Sequence, residues 1–388
     1  MTEPAPFVLT PRAKPLRILS TSDWHLGNAR VPAINVCNRL RDVLFPELPN
    51  IDLLNIGGDL WDTSLMLSSE TNIIEGFLID LLHECDRYRT VVRILRGTYL
   101  HDRDQSAALA DVYHVKCRFT NDLKYINTMS LEEIQSLNVR ILYLPDDLPY
   151  DTSDECLKVI QELLASRGWT WVDYVFGHGY FEHMLPSFIP KQPKCTYRIA
   201  QFKPLVRRYV CMGHVHLSDF TENVFYNNSF DRIAHGEEAP KGFVIVEDFG
   251  DQARLRIVEN KAATKFMTID LTGHTDKDTI GEYYLDQIAR KFPHNEPGYV
   301  RVIHPSVEVR QALKRITVLQ HPELSFSYLK TADEPSQYDL VSVRKSFDIA
   351  EYPTPTEDTL PQMILDFLEK NGGTQLTLAR ITELSKQK

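Results

Sequence analysis

The sequence predicts an α/β fold whose strands run in parallel, and three observations predict it. Apolar runs of strand length recur along the first half of the chain, with amphipathic helical stretches between several of them. Most of these runs end in a glycine-containing turn. Polar residues that could bind a metal follow the turns, which places them at the carboxyl ends of strands, where sites of α/β folds lie. Successive β–turn–α units imply a parallel sheet with right-handed crossovers.

Leu16-Arg17-Ile18-Leu19-Ser20 reads as the first strand, followed by Ser22-Asp23-Trp24-His25. The Asp23-x-His25 pair joins a carboxylate to an imidazole, a donor set suited to manganese, iron or zinc. It also fits a helix-capping Asp beside an unrelated His. A helix over about 33–45 leads to the strand Ile51–Ile56 and then to Gly57-Gly58-Asp59-Leu60-Trp61-Asp62. The glycines allow a tight turn and set Asp59 at a strand end. A helix over 69–85 carries Ile73, Ile74, Phe77, Leu78, Leu81 and Leu82 at helical spacing. Strand Val91–Leu95 then runs into Gly97-Thr98-Tyr99-Leu100-His101-Asp102.

Residues 113–138 read as less regular, before a strand at Val139–Leu144 and a helix over 153–166. Trp171–Phe176 ends in Gly177-His178-Gly179, and Tyr209–Met212 ends in Gly213-His214-Val215-His216. Two histidines at i and i+2 share a direction, a common way to hold a metal. Alone that pair is as consistent with packing as with ligation. The recurrence of Asp23, His25, Asp59, His101, His178, His214 and His216 at strand ends makes a two-metal site the better account.

Composition sets the outer bounds. The 388 residues are 25% charged and 43% hydrophobic, an ordinary soluble balance with material for two or three domains. No apolar run is long enough to span a membrane. Met1–Thr10 lacks the basic and apolar regions of a secretory signal, and the six cysteines form no CxxC pair. A cytoplasmic protein with reduced thiols is expected. The net charge of −10 does not favour nucleic acid as a whole-surface partner. Residues 183–218, however, contain no Asp or Glu and six basic residues, Lys191, Lys194, Arg198, Lys203, Arg207 and Arg208. Lying between two histidine motifs, they are the candidates for phosphate-backbone contact, with a solvated loop as the alternative.

The ordered set D-x-H, G-D, a glycine–histidine–acid box, G-H and G-H-x-H resembles the calcineurin-like metallophosphoesterase superfamily over residues 16–216. The resemblance implies a sandwich of β-sheets flanked by helices. It also implies one ion on Asp23, His25, Asp59 and His216, and a second on Asp59, His178 and His214. His101 matches the histidine that assists the transition state. The family's Gly-Asn-His-Asp box departs here: no Asn is present, and Thr98 is the candidate replacement ligand.

Downstream, Tyr226–Arg232, His235-Gly236-Glu237-Glu238 and Lys241–Val246 are similar to the stretch that closes the catalytic domain of SbcD-type nucleases, with Asn228 where that family has Gly. Strands at 266–271, 299–303 and 324–329, with helices over 276–291 and 306–318, resemble the small α/β cap of those nucleases. After Tyr352-Pro353-Thr354-Pro355, the residues Leu360, Met363, Ile364, Phe367 and Leu368 form an apolar stripe. It fits a partner-binding helix or a tail packed on its own domain. The resemblance implies that this helix pair grips an SbcC-like SMC-family ATPase.

The expected organisation is a metallophosphoesterase nuclease domain (1–260), a DNA-positioning cap (261–350) and a linker with a helical tail (351–388). The expected activity is hydrolysis of DNA phosphodiesters, in exonuclease and endonuclease modes, with two Mn2+ (alternatively Mg2+ or Fe2+). The family's architecture further implies a homodimer within a heterotetramer, using the helices near 33–45 and 69–85, in a bacterial or phage-infected cell and in DNA repair and recombination. The rivals are a phosphoesterase for nucleotides or phosphoproteins, and a non-catalytic scaffold suggested by the missing Asn.

Overall fold

Strands buried on both faces carry near-continuous apolar sequence, and strands with one wet face alternate. Both kinds occur in the computed structural model, which describes residues 11–64, 69–103, 105–112, 122–185, 195–271, 277–292, 297–303 and 323–329. The first part of the chain runs β1 (Leu16–Thr21), α1 (Ala33–Leu44), β2 (Leu53–Ile56), α2 (Ser69–Tyr88), β3 (Val91–Leu95), α3 (Tyr99–Asp102), α4 (Gln105–Val112) and β4 (Leu123–Ile126). The second runs β5 (Ser130–Ile134), β6 (Val139–Leu144), α5 (Ser153–Ser166), β7 (Val172–His178), β8 (Tyr180–Phe181), β9 (Thr196–Tyr197), α6 (Ile199–Phe202), β10 (Val206–Gly213), β11 (Phe220–Thr221) and β12 (Val224–Tyr226). The chain then forms β13 (Gly242–Asp248), β14 (Ala253–Glu259), β15 (Lys265–Asp270), α7 (Lys277–Lys291), β16 (Gly298–Ile303) and β17 (Leu324–Leu329).

The fold is mixed α/β, and its two large sheets are mixed rather than wholly parallel. Two six-stranded sheets form, in the orders β14-β13-β1-β2-β3-β4 and β11-β12-β10-β7-β6-β5. The first is parallel from β1 to β4, but β13 joins β1 antiparallel, Leu16 opposite Asp248 and Ser20 opposite Val244. Hairpin partners replace crossovers at the outer strands: β13–β14, β5–β6 and β11–β12 are antiparallel. Local sequence signals do not encode the return of β13, more than two hundred residues after β1, as β1's neighbour.

Alternation assigns the faces. In β1, Leu16 and Ile18 enter a core shared with Tyr174, Phe176, Cys211 and Phe225 of the other sheet, so the sheets pack face to face. Leu19 points outward to Val36 and Leu40 of α1 and Phe77 and Leu81 of α2. On the opposite outer face, Cys156, Ile160 and Leu164 of α5 cover the second sheet. Helix α5 begins at a capping box in which the Thr152 side chain and Glu155 satisfy each other's backbone N–H groups. The order of layers is therefore helix, sheet, sheet, helix.

Two polar groups lie between the sheets. Arg93 is fully buried, with Glu132 accepting at 2.8 and 2.9 Å and Asp122 at 2.9 Å. This network accounts for β4 and β5, which sequence patterning misses: their alternation is weak, and their carboxylates meet a buried cation. The other is Asp248, which accepts from Tyr174 Oη at 2.9 Å and pairs with Arg208 at 3.1 Å. It ties β13 of one sheet to β7 and β10 of the other.

A third sheet, β15-β16-β17, is wholly parallel, with Tyr284, Ile288 and Phe292 packed on Ile269, Val300 and Val302. The expected helix over 306–318 and the 351–388 tail, with Leu360, Met363, Ile364, Phe367 and Leu368, lie outside the described residues. The chain divides into two compact units, Met1–Leu329 and Lys330–Lys388. Among the described residues, no helix is long and apolar enough to cross a membrane.

Candidate metal centre

The carboxyl ends of β1, β2 and β3 in one sheet and of β7 and β10 in the other meet at one edge of the sandwich. The turns after β1 and β2 are tied together: Asp23 N–H donates to Gly58 O at 2.9 Å, and His25 N–H to Asp59 O at 3.1 Å. This pairing holds Asp23, His25 and Asp59 at φ values of 53°, 45° and 49°, and His214 stands at 91°. Non-glycine residues in the left-handed region cost of order 1–3 kcal/mol each and cluster at functional sites. Gly97 is required by contact: a Cβ there would stand 2.1 Å from Asp59 N and 2.3 Å from Asp59 Oδ1.

Three groups of ligand atoms lie within 4.8 Å of one another among the described residues: Asp23–His25–His216, Asp59–His178–His214 and His25–Asp62–His101. The first two combine residues from both sheets. His25 and His216 approach Nε2 to Nε2 at 3.1 Å, and His216 Nε2 is 3.5 Å from Asp23 Oδ1. His178 Nε2 is 3.2 Å from His214 Nδ1. Asp59 Oδ2 lies between the groups, 3.8 Å from His25 Nε2 and 3.4 Å from His178 Nε2. The His214 N–H closes the centre across the sheets by donating to both oxygens of Asp23 at 3.1 Å.

The outer nitrogens explain why the inner ones point inward. His178 Nδ1 meets Gly57 O at 2.8 Å, His216 Nδ1 meets Glu237 Oε1 at 3.0 Å, and His25 Nδ1 lies 3.1 Å from Asp62 Oδ1. An imidazole that donates its outer N–H to a carbonyl or carboxylate turns a lone pair the other way, the arrangement that orients metal-binding histidines. The inner atoms are nitrogens and carboxylate oxygens, a donor set that a metal ion or shared protons can reconcile. These His and Asp groups could hold a metal ion.

The electrostatics agree. Burial pushes the Asp23 carboxyl up, but the hydrogen bond with His216 and the nearby histidine charges outweigh it and hold its pKa below the usual range. Burial opposes charge on His216, yet Asp23 and Glu237 raise its pKa to about 9. His214 is shifted down by burial and by the charge of His178. Asp102, buried beside the Asp59 charge, is pushed up to about 6. Its carboxylate accepts from the N–H groups of Gly97 at 2.6 Å and of Asp59 and Trp61 at 3.1 Å, so it shapes the turns rather than entering the centre.

His101 stands beside the first group, its ring edge-on to His25 with centroids 4.9 Å apart. Its Nδ1 meets Asp62 O at 2.6 Å, which leaves Nε2 as the free end. Thr98, at the missing-Asn position, places Oγ1 3.3 Å from Asp59 Oδ2 and 3.4 Å from His214 Nδ1. A cavity of about 250 Å³ opens beside His178 and His214, walled by Asp146, Tyr180 and Tyr197 among others.

The described basic residues of 183–218 are each paired with an acid from another element. Lys191 and Lys194 lie outside the described residues. Arg198 pairs with Asp154, and Lys203 with Glu222 at 2.9 Å. Arg207 pairs with Asp173 and stacks over Trp171, its guanidinium 4.7 Å from the ring centroid. Arg208 is buried against Asp248 and Gly250 O. β10 reaches the centre only at its carboxyl end, so Arg207 and Arg208 sit near the opposite end of the strand. Residue counting within 183–218 cannot see acids that arrive from other elements.

Asp62, Glu237 and Tyr180 were not singled out by sequence as site residues. Tyr180 meets the His214 ring edge-on at 4.4 Å. The one signal for the two acids is chemical: each buried histidine ligand needs an acceptor for its outer N–H.

No family model and no curated protein matches the chain. Among solved structures, one aligns with 63% of this chain and 99% of its own at a TM-score of 0.34 and 10% identity, a likeness too low to carry an argument.

Proposed function

We propose that this protein is a divalent-metal-dependent phosphodiesterase acting on DNA, with a two-ion centre of the metallophosphoesterase type. The observation that carries the proposal is the position of Asp59 Oδ2, within 3.4–3.8 Å of a histidine nitrogen from each of two ligand groups. A carboxylate so placed can serve two ions. In this reading Asp23, His25, His216 and Asp59 would hold one ion, and Asp59, His178 and His214 would hold the other, with Thr98 next to Asp59 and His214. Mixed imidazole and carboxylate donors favour Mn2+, with Fe2+ and Mg2+ as alternatives. Ions of this kind supply Lewis acidity at a phosphoryl oxygen and a nucleophile at neutral pH.

The remaining steps belong to the chain. Asp62 fixes His25 through its carboxylate and His101 through its carbonyl. That leaves His101 Nε2 to deliver or accept a proton at a substrate oxygen. Glu237 orients His216, and Lys241 neutralises Glu237 from 3.2 Å. The choice of DNA, and of an SbcC-like ATPase as partner for the 351–388 tail, rests on motif order and on the stretch from Tyr226 to Val246.

The test is Mn2+-dependent cleavage of linear duplex DNA, with His214→Ala as control. Cleavage at wild-type rate by that variant would refute the centre. One observation favours a second reading: the four described basic residues of 183–218 are all paired internally. A phosphodiesterase of small substrates would need none of them, and it would hydrolyse bis(p-nitrophenyl) phosphate while leaving duplex DNA intact.

A further inference from the structure

The three-stranded sheet turns one face toward the catalytic sheets. Phe266 joins the core beneath α1 and α2, with Tyr299 packed at its margin, and the two rings stack at 4.8 Å. Residues two apart on a strand share a face. Thr268 and Arg301, paired in register, therefore extend that face beyond the aromatic pair.

His235 lies over this extension. Its ring meets Phe266 edge-on at 5.0 Å, and its Nδ1 is 3.4 Å from Thr268 Oγ1. From the catalytic side, Arg30 donates through Nη1 to Ile233 O at 3.3 Å, two residues before His235. The same loop continues to Glu237, which anchors His216. Arg30, His235 and Arg301 thus gather around a loop that runs on to the anchor of His216.

Neither Arg30 nor Arg301 has a carboxylate partner among the described residues, whereas the neighbouring Arg39 is taken by Asp231. The local field is positive enough to be felt: burial, then the charges of Arg301 and Arg30, push the His235 pKa down to about 4. In a chain of net charge −10, two arginines that lack a carboxylate partner among the described residues both act on one imidazole. A phosphate would relieve their repulsion and accept from both guanidinium groups.

We propose that Arg30, Arg301 and His235 form a seat for a backbone phosphate of the polynucleotide whose scissile phosphate lies at the metal centre. The seat rests on the reading of the protein as a DNA phosphodiesterase. It names as DNA contacts residues of the first turn and the third sheet, in place of the internally paired 183–218 segment. A strand repeats its charge at every nucleotide, so one phosphate at the centre is followed by others that the seat can hold.

The experiment measures binding of a single-stranded DNA oligonucleotide against salt, with Ca2+ replacing Mn2+ to prevent cleavage. The wild type, Arg30→Ala/Arg301→Ala and Arg30→Lys/Arg301→Lys are compared, and circular dichroism confirms folding. Inorganic tripolyphosphate is the second probe. Loss of the one seated phosphate lowers the slope of log K against log salt by about 0.7, the value per neutralised phosphate on single strands. The lysine pair, which keeps the charges, retains the wild-type slope. An unchanged slope in the alanine pair overturns the seat. Wild-type tripolyphosphate binding as tight as DNA binding, lost in the alanine pair, overturns the backbone assignment and leaves a free-phosphate site. If wild type shows no DNA affinity while tripolyphosphate binding still falls in the alanine pair, the DNA reading fails and the anion seat stands.

Discussion

Substituting Glu237 by Gln probes the centre without touching an inner ligand. Glu237 receives the outer nitrogen of His216 at 3.0 Å, contacts Lys241 Nζ at 3.2 Å and accepts from Ile233 N–H at 3.3 Å. Glutamine keeps the shape and one acceptor for His216 but removes the charge. Losing such an outer partner weakens metal affinity about 10–100-fold, or about 1.4–2.8 kcal/mol. Glu237 also helps raise the His216 pKa to about 9, so at pH 7 a proton competes with metal for that imidazole. The variant loses part of that competition, which moves the expected loss at pH 7 toward tenfold. The geometry makes the effect selective, because among the described residues Glu237 pairs with His216, Ile233 and Lys241 and not with Asp59, His178 or His214. Calorimetric titration with Mn2+ should therefore show one of two equivalents weakened and the other unchanged. Equal weakening of both, or of neither, would refute the division of ligands between two groups.

Gly97→Ala drives a Cβ to 2.1 Å from Asp59 N; overpacking of this kind costs about 1–3 kcal/mol, read as a lower Tm, and Mn2+ affinity should fall with it. His101→Ala should lower turnover about 10²–10⁴-fold with Mn2+ affinity intact, checked by kinetics beside calorimetry. Glu132→Gln breaks the buried pair with Arg93 at a cost of about 3–5 kcal/mol in denaturant unfolding. The same pair sets an acid limit. Burial raises the Glu132 pKa, but Arg93 and Lys124 outweigh it and lower the value to about 2. A carboxyl depressed on folding stabilises above its unfolded pKa of about 4.3 and loses that contribution as pH falls toward 2. Wild-type stability should therefore drop in that window, and Glu132→Gln should flatten this part of the profile.

The grouping was legible in sequence because its candidate ligands sit immediately after strands and beside glycines. Asp23, His25, Asp59, His178, His214 and His216 come together as that placement implies. What was not legible depends on residues distant along the chain. Glu237 lies twenty-one positions from the histidine it holds, and its role follows only once the loop returns. Arg207 and Arg208 read as free cations until Asp173 and Asp248 arrive from β7 and β13. β4 and β5 depend on Arg93, whose burial no local window predicts.

Asp248 sits at the other end of the sandwich from the centre, opposite Leu16 at the start of β1, where Tyr174 and Arg208 of the second sheet converge on it. Each ligand group takes residues from both sheets, so the centre is only as well aligned as the sheets are. The seven steps from Leu16 to Asp23 span up to about 23 Å at about 3.3 Å per residue, and a rotation of about three degrees about the Asp248 node would displace the far edge by about 1.2 Å. That is enough to spoil ligand geometry. The two sheets act as the arms of a pair of tongs: Asp248 is the rivet, and the histidines and aspartates are its tips.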